Sequence, residues 1–218
     1  DGAPLYTAWE FVDGARAGRI TRRITDMANA QKKISLDDMQ SIQADTVSEH
    51  AQALGPTLLA TLTAMGEELA KPGMHPDIAD VIKGAPANVT AKLADMTALI
   101  KGWTSFETPS GAAEEAPTAT QIADSRAALL FNAWVARFLE LTFDDEVKVV
   151  GASGGTSNLV KTLALACDKA KWKQLSSGLS SAGDPVLFDD LATPAVETQL
   201  NVSSHAVLDA LGYLLSKV

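Results

Sequence analysis

The sequence predicts a predominantly α-helical protein, all-α in class. Three observations lead there. Alanine, leucine and charged helix formers dominate the 218 residues, and apolar residues recur at helical spacing through most of the chain. Convincing period-two strands are nearly absent, and no repeat of fixed period is found. With 46% hydrophobic residues the chain can bury a core. Its mean hydropathy is +0.06, and no apolar run approaches the ~20 residues that span a bilayer, so no membrane partner is expected.

Residues 1–218 read as a single helical domain or fragment, with irregular segments near 102–118 and 176–193. In 11–30, Phe11, Ala15, Ile20, Ile24 and Met27 mark one buried helical face. "SLDD" at 35–38 offers Ser35 as an N-cap with acids in the first turn, opening a helix that carries Met39, Ile42, Val47 and Leu54. Gly55-Pro56 is expected to end it, and Pro56 to open the next helix, which fades at Lys71-Pro72-Gly73. Helices follow at about 76–83 and 88–101, the latter with Leu93, Met96 and Ile100 inward. The longest apolar helix is expected over 119–141, another over 156–168, and a last one begun by Pro194 and running to Leu215.

Charge and residue type narrow the chemistry. Twenty-seven acidic against 18 basic residues give a net charge of -9, and apart from Arg16, Arg19, Arg22 and Arg23 the basic residues are scattered. Such a surface repels polyanions, so nucleic acid is not an expected partner. The single Cys167 forms no internal disulfide and reads as an inert core thiol. His50, His75 and His205 lack zinc-ligand spacing. Asp189-Asp190 lacks an EF-hand loop and reads as a cap rather than a calcium site. Trp103, Trp134 and Trp172 read as core anchors.

Gly151-Ala-Ser153-Gly-Gly155 fits G-x-S-x-G, and Asp189 and His205 follow in the order of α/β-hydrolases. That elbow needs strands around 146–150, on a sheet for which the chain offers few candidates. A freestanding serine hydrolase using Ser153 therefore stays a rival, as does a noncatalytic helical binding module. Arg16 and Arg19 place two guanidinium groups on one helix face.

"FVDGARAGRITRRI" followed by "ISLDDMQSIQADTVSEHAQALGPTLL" resembles the penicillin amidase (penicillin acylase) family of N-terminal nucleophile hydrolases. The matching letters are Asp38, Met39, Gln43, Asp45, Ser48, Ala51, Pro56 and Leu58. Downstream, "VLFDDLATPAVETQLNVSSHAVLDALGYLL" matches a second family pattern through Phe188, Asp189, Asp190, Thr193, Glu197 and Thr198. "KGWTSFETPSGAA" and "AALLFNAWVARFLE" resemble the tryptophan turn and long apolar helix between them.

The resemblance implies an amide hydrolase in which the free α-amino group of an N-terminal serine activates its own hydroxyl, on an αββα core. It makes Arg19 the family arginine beside the catalytic centre, which helps to position the oxyanion-hole asparagine and substrate. Phe11 falls near a position that lines the acyl pocket. The chain starts at Asp1, without an initiator Met and without a Ser, Thr or Cys nucleophile at its front. The expectation is therefore the helical middle of the large chain, inactive alone, with no essential partner for Arg19 inside it. The expected partners are the remaining segments of the parent enzyme and a small-molecule amide substrate. The resemblance implies no cofactor in these residues, admits calcium in the full enzyme, and places that enzyme in the periplasm or outside the cell.

Overall fold

A computed structural model describes residues 15–109, 116–150, 156–174, 178–190 and 193–217. The described residues contain helices, turns and two isolated bridges, and no strand. The chain divides into two compact units, Asp1–Asp45 and Thr46–Val218.

The first unit holds α1 (Ala15–Asn29) and α2 (Leu36–Gln43). α1 forms where the spacing predicts it, but the expected buried apolar face is absent. None of its residues is buried, and Ile24 is exposed. Its half-buried side carries Arg19 and Arg23 as well as Ile20 and Met27, so polar contacts do the work assigned to apolar ones. α2 opens as predicted. Ser35 Oγ accepts the Asp38 N–H at 3.2 Å, and Asp38 Oδ2 accepts the Ser35 N–H at 3.0 Å. Lys32 beside Asp38, with the two Ser35 donors, holds that carboxyl far below the usual carboxylate range.

α2 does not run on to Gly55. It stops at Gln43, and residues 46–48 are extended, with Ser48 N–H donating to the Phe106 carbonyl at 2.9 Å and Thr108 N–H to that of Thr46 at 3.1 Å. Ser48 then caps α3 (Glu49–Ala70), its Oγ accepting the Ala51 N–H at 3.1 Å. Gly55-Pro56, expected to separate two helices, lies inside this one. Pro56 cannot donate to the carbonyl of Gln52, but both residues are exposed, so water can satisfy that carbonyl. Gly55 is buried under Phe106, and a Cβ there would sit 3.0 Å from the ring's Cε1. The glycine thus serves close packing rather than a break.

Ala51, Leu54, Leu58, Thr61, Leu62, Met65 and Glu68 form one buried stripe down α3. Beyond it come a 3₁₀ turn, Pro76–Ile78, then α4 (Ala79–Gly84), α5 (Ala87–Thr90) and α6 (Leu93–Gly102). The expected 88–101 helix is thus interrupted between α5 and α6; Leu93 and Ile100 point inward as predicted, and Met96 is half-buried. Glu68 closes the turn after α3, accepting the Gly73 N–H at 2.8 Å and the His75 N–H at 2.6 Å. Those bonds hold its pKa below the ordinary 4.5.

α7 (Ala119–Val150) outruns the predicted end at 141. Asp124, Ala127, Phe131, Trp134, Phe138 and Thr142 make its buried stripe. The rings of Phe106, Trp103, Phe131, Trp134, Phe138 and Phe188 follow one another at 5.1–5.9 Å between centroids. α8 (Thr156–Cys167) is followed by a 3₁₀ turn, Lys169–Gln174, in which Trp172 Nε1–H donates to the Ala166 carbonyl at 2.7 Å. The last helix, α9 (Gln199–Leu215), starts after the predicted Pro194, because Thr198 supplies the cap by accepting the Asn201 N–H at 3.1 Å.

Two stability tests follow. Gly55→Ala gains helix propensity but forces a methyl against Phe106, which is held at φ 54° and packed edge-on to Trp103. Denaturant unfolding should give a net loss of about 1 kcal/mol, since overpacking costs roughly 1–3 kcal/mol and the propensity gain is smaller. Gly66→Ala in the same helix meets nothing within 4 Å and should be neutral or stabilising by up to about 1 kcal/mol. Glu68→Gln should lower the thermal midpoint at neutral pH. A depressed carboxyl pKa stabilises the fold above the unfolded value and ceases to do so as pH falls through the folded one. The gap between Glu68→Gln and the parent should therefore close below about pH 4.5.

Candidate functional site

Arg16, Arg19 and Arg23 lie three and four residues apart, so α1 presents them on one face. Arg16 and Arg23 reach both the end of α2 and Asp45, two residues beyond it, and Arg19 reaches Asp45 alone. Arg16 donates to the carbonyls of Asp45 at 2.9 Å, Gln43 at 3.1 Å and Ile42 at 3.4 Å. It thereby places a cation where helical carbonyls lack partners and the helix dipole is negative. Arg23 donates to the Ser41 carbonyl at 2.9 Å and, through Nη2, to Ser41 Oγ at 2.7 Å.

The Asp45 side chain is 3% exposed, and its Oδ2 accepts from both Arg19 Nε and Arg23 Nη1 at 2.9 Å. A carboxylate so far from water needs such partners. Arg19 is 25% exposed and engages Asp45 through Nε alone. Among the described residues its Nη1 and Nη2 donate to nothing, so the outer edge of the guanidinium remains open to an acceptor. Within these residues Arg19 does have a partner, Asp45, and the contact is one of several between α1 and the segment ending at Asp45. Sequence reasoning matched Asp45 to a motif without giving it a role. Phe11 lies outside the described residues.

The second motif folds onto itself. Phe188 stacks on Phe138 at 5.8 Å, Asp189 Oδ1 accepts the Glu197 N–H at 3.3 Å, and Glu197 Oε2 accepts the Asp190 N–H at 3.1 Å. Thr193 Oγ1–H donates to Glu197 Oε1 at 2.9 Å, and Thr198 Oγ1–H to Asp77 Oδ2 at 3.0 Å. These letters close the loop before α9. Among the described residues no three acidic, histidine or cysteine side chains gather around one point.

The G-x-S-x-G reading loses its scaffold. Residues 146–150, where the elbow requires a strand, are the last turns of α7, and His205 is exposed on α9. Ser153 itself lies outside the described residues.

Two clefts in the larger unit carry polar side chains. One, of about 440 Å³, is lined by Thr57, Thr61, Cys167, Gln199 and Leu200 among others. Burial pushes the Cys167 thiol up to about 12, against smaller opposing effects of Thr57 and Gln199, so no useful thiolate exists there near neutral pH. The other, of about 510 Å³, includes Arg137, whose guanidinium is engaged by Asp209 at 2.7 Å and by Glu140. Neither offers an activated nucleophile.

The arginine helix and both motif segments therefore have defined structural settings, and the sequence matches the penicillin amidase family over residues 1–218. The chain belongs to the penicillin amidase family. No curated protein and no solved structure matches it. Family membership agrees with the resemblance carried by the two end motifs and makes amide hydrolysis the chemistry against which the arginine cluster is to be read.

The raised thiol pKa gives this penicillin amidase chain a simple chemical signature. Cys167 should resist alkylation by iodoacetamide near neutral pH in the folded state and react readily once denaturant is added. Rapid labelling of the folded protein, followed by peptide mapping to Cys167, would show the thiol to be accessible and ionisable.

Proposed function

We propose that this chain supplies the helical part of a penicillin amidase-like enzyme that hydrolyses a small-molecule amide, with the N-terminal serine nucleophile outside residues 1–218. In this reading the chain alone does not turn over substrate. The complete enzyme, in the periplasm or secreted, does. The serine's α-amino group takes the proton of its hydroxyl, the oxygen attacks the amide carbon, and negative charge develops on the carbonyl oxygen. Arg19 stands beside that centre and holds the oxyanion-hole asparagine and the substrate in place.

The observation that carries the reading is the manner in which Arg19 is held. Asp45 takes its Nε at 2.9 Å, leaving the two Nη groups unengaged among the described residues. A planar fork fixed at one edge presents its other donors in a set direction. Two guanidinium groups share the one Asp45 carboxylate and a third, Arg16, binds only backbone carbonyls, which leaves an excess of positive charge, the sign that a forming oxyanion requires. Phe11, eight residues earlier, is assigned to the acyl pocket on the family resemblance.

The test is amide turnover by the complete enzyme. Arg19→Ala should lower kcat by roughly 10²-fold or more, the order seen when oxyanion stabilisation is disturbed, while the thermal midpoint changes little. Arg19→Lys should fail nearly as badly, since an ammonium lacks the planar fork. Normal turnover in Arg19→Ala would make the residue a surface charge, and a collapsed midpoint would make it structural.

A further inference from the structure

We infer that Asp45 is a positioning residue for this amide hydrolysis, acting through Arg19; the inference rests on the role proposed for Arg19 above. Four contacts already fasten α1 to the end of α2 without Arg19. Arg16 holds the carbonyls of Gln43 and Asp45, and Arg23 holds the carbonyl and hydroxyl of Ser41. The contact from the Asp45 carboxylate to Arg19 Nε is therefore redundant as a fastener. What it adds is direction.

An arginine side chain has four rotatable bonds, and at 25% exposure Arg19 has room to swing. The 2.9 Å bond at Nε ties the root of the guanidinium to a carboxylate that is itself buried and gripped by Arg23. With the root fixed, the plane of the group is fixed, and the unengaged Nη edge points one way. Reacting groups displaced by about 1 Å can lose on the order of 10²-fold in rate, so such a tie at the root of Arg19 matters.

Orientation and charge make opposite predictions here. Removing the Asp45 charge leaves the cluster more positive, so if Arg19 acted through its field alone, Asp45→Asn would hold or raise the rate. If Asp45 acts by aiming Arg19, the same change lowers it.

The experiment is a double-mutant cycle in the complete enzyme with a small amide substrate, reading kcat, KM and thermal midpoint. Asp45→Asn should reduce kcat by roughly 10-fold to 10²-fold with KM little changed, and Arg19→Ala/Asp45→Asn should be no slower than Arg19→Ala alone. If Asp45→Asn does not fold, Asp45→Asn/Arg23→Gln, which removes the surplus positive charge, takes its place with the same expectations. Loss of kcat in Arg19→Ala with normal kcat in the Asp45 variant overturns the positioning role alone. Losses that add in the double variant also overturn it, because Asp45 would then act independently of Arg19. Normal kcat in Arg19→Ala overturns the proposed role of Arg19 and the positioning role with it.

Discussion

Trp134 is wholly buried, and the hydrogen-bonding demand of its one N–H fixes how the helices of the larger unit meet. The indole donates to Ser203 Oγ at 3.2 Å; Thr61 Oγ1 and Ser203 Oγ are 2.7 Å apart, and Thr61 Oγ1 donates to the Thr57 carbonyl at 3.0 Å. These bonds link α7 through α9 to α3 by way of two buried hydroxyls. Slipping any of these helices by one turn would strand a buried donor or acceptor, at about 1–3 kcal/mol for each. The aromatic row supplies bulk attraction along the same helices, but it is tolerant of small shifts. The hydroxyl relay is not, so it selects the register in which the rings stack.

Helical periodicity makes most of the fold legible in the sequence. The stripes on α3, α6 and α7 are regular enough that Leu93, Ile100, Trp103 and Trp134 were assigned to the core correctly. Errors arose where a local signal had two meanings. Gly55-Pro56 normally punctuates, yet here the glycine yields space to Phe106 from a distant loop, a tertiary contact invisible to local reading. Ser48 was a cap signal embedded in an apparently continuous helix, and it shows only once the pairing of 46–48 with 106–108 is known. The β-branched run before Gly151 favours a strand on its own propensities, but it continues α7.

The arginine face was legible as a pattern and illegible as chemistry. Spacing puts Arg16 and Arg19 on one helix face, but no neighbouring residue names an acceptor for them. The missing information was an acceptor of low exposure, and Asp45 sits 26 residues from Arg19 in sequence. Its neighbours in the matched motif divide the labour. Asp38 and Ser48 begin helices, Ala51 and Leu58 fill the core, and Asp45 offers its carboxylate to Arg19 and Arg23. The second motif is likewise mostly architecture, with Glu197 tying off the loop that leads into α9. A family pattern thus records folding constraints and site constraints in the same letters, and only geometry separates them.

The bond between Thr61 and Ser203 joins residues 142 positions apart. During synthesis α3 leaves the ribosome long before α9 does; at roughly 5–20 residues per second, the interval is on the order of ten seconds. Throughout that time the apolar stripe of α3 and the rings of α7 have no α9 to cover them. Local helices form in microseconds, so the nascent chain holds finished helices with an unfinished core. The pace of translation between these two helices therefore sets how long that core stays open.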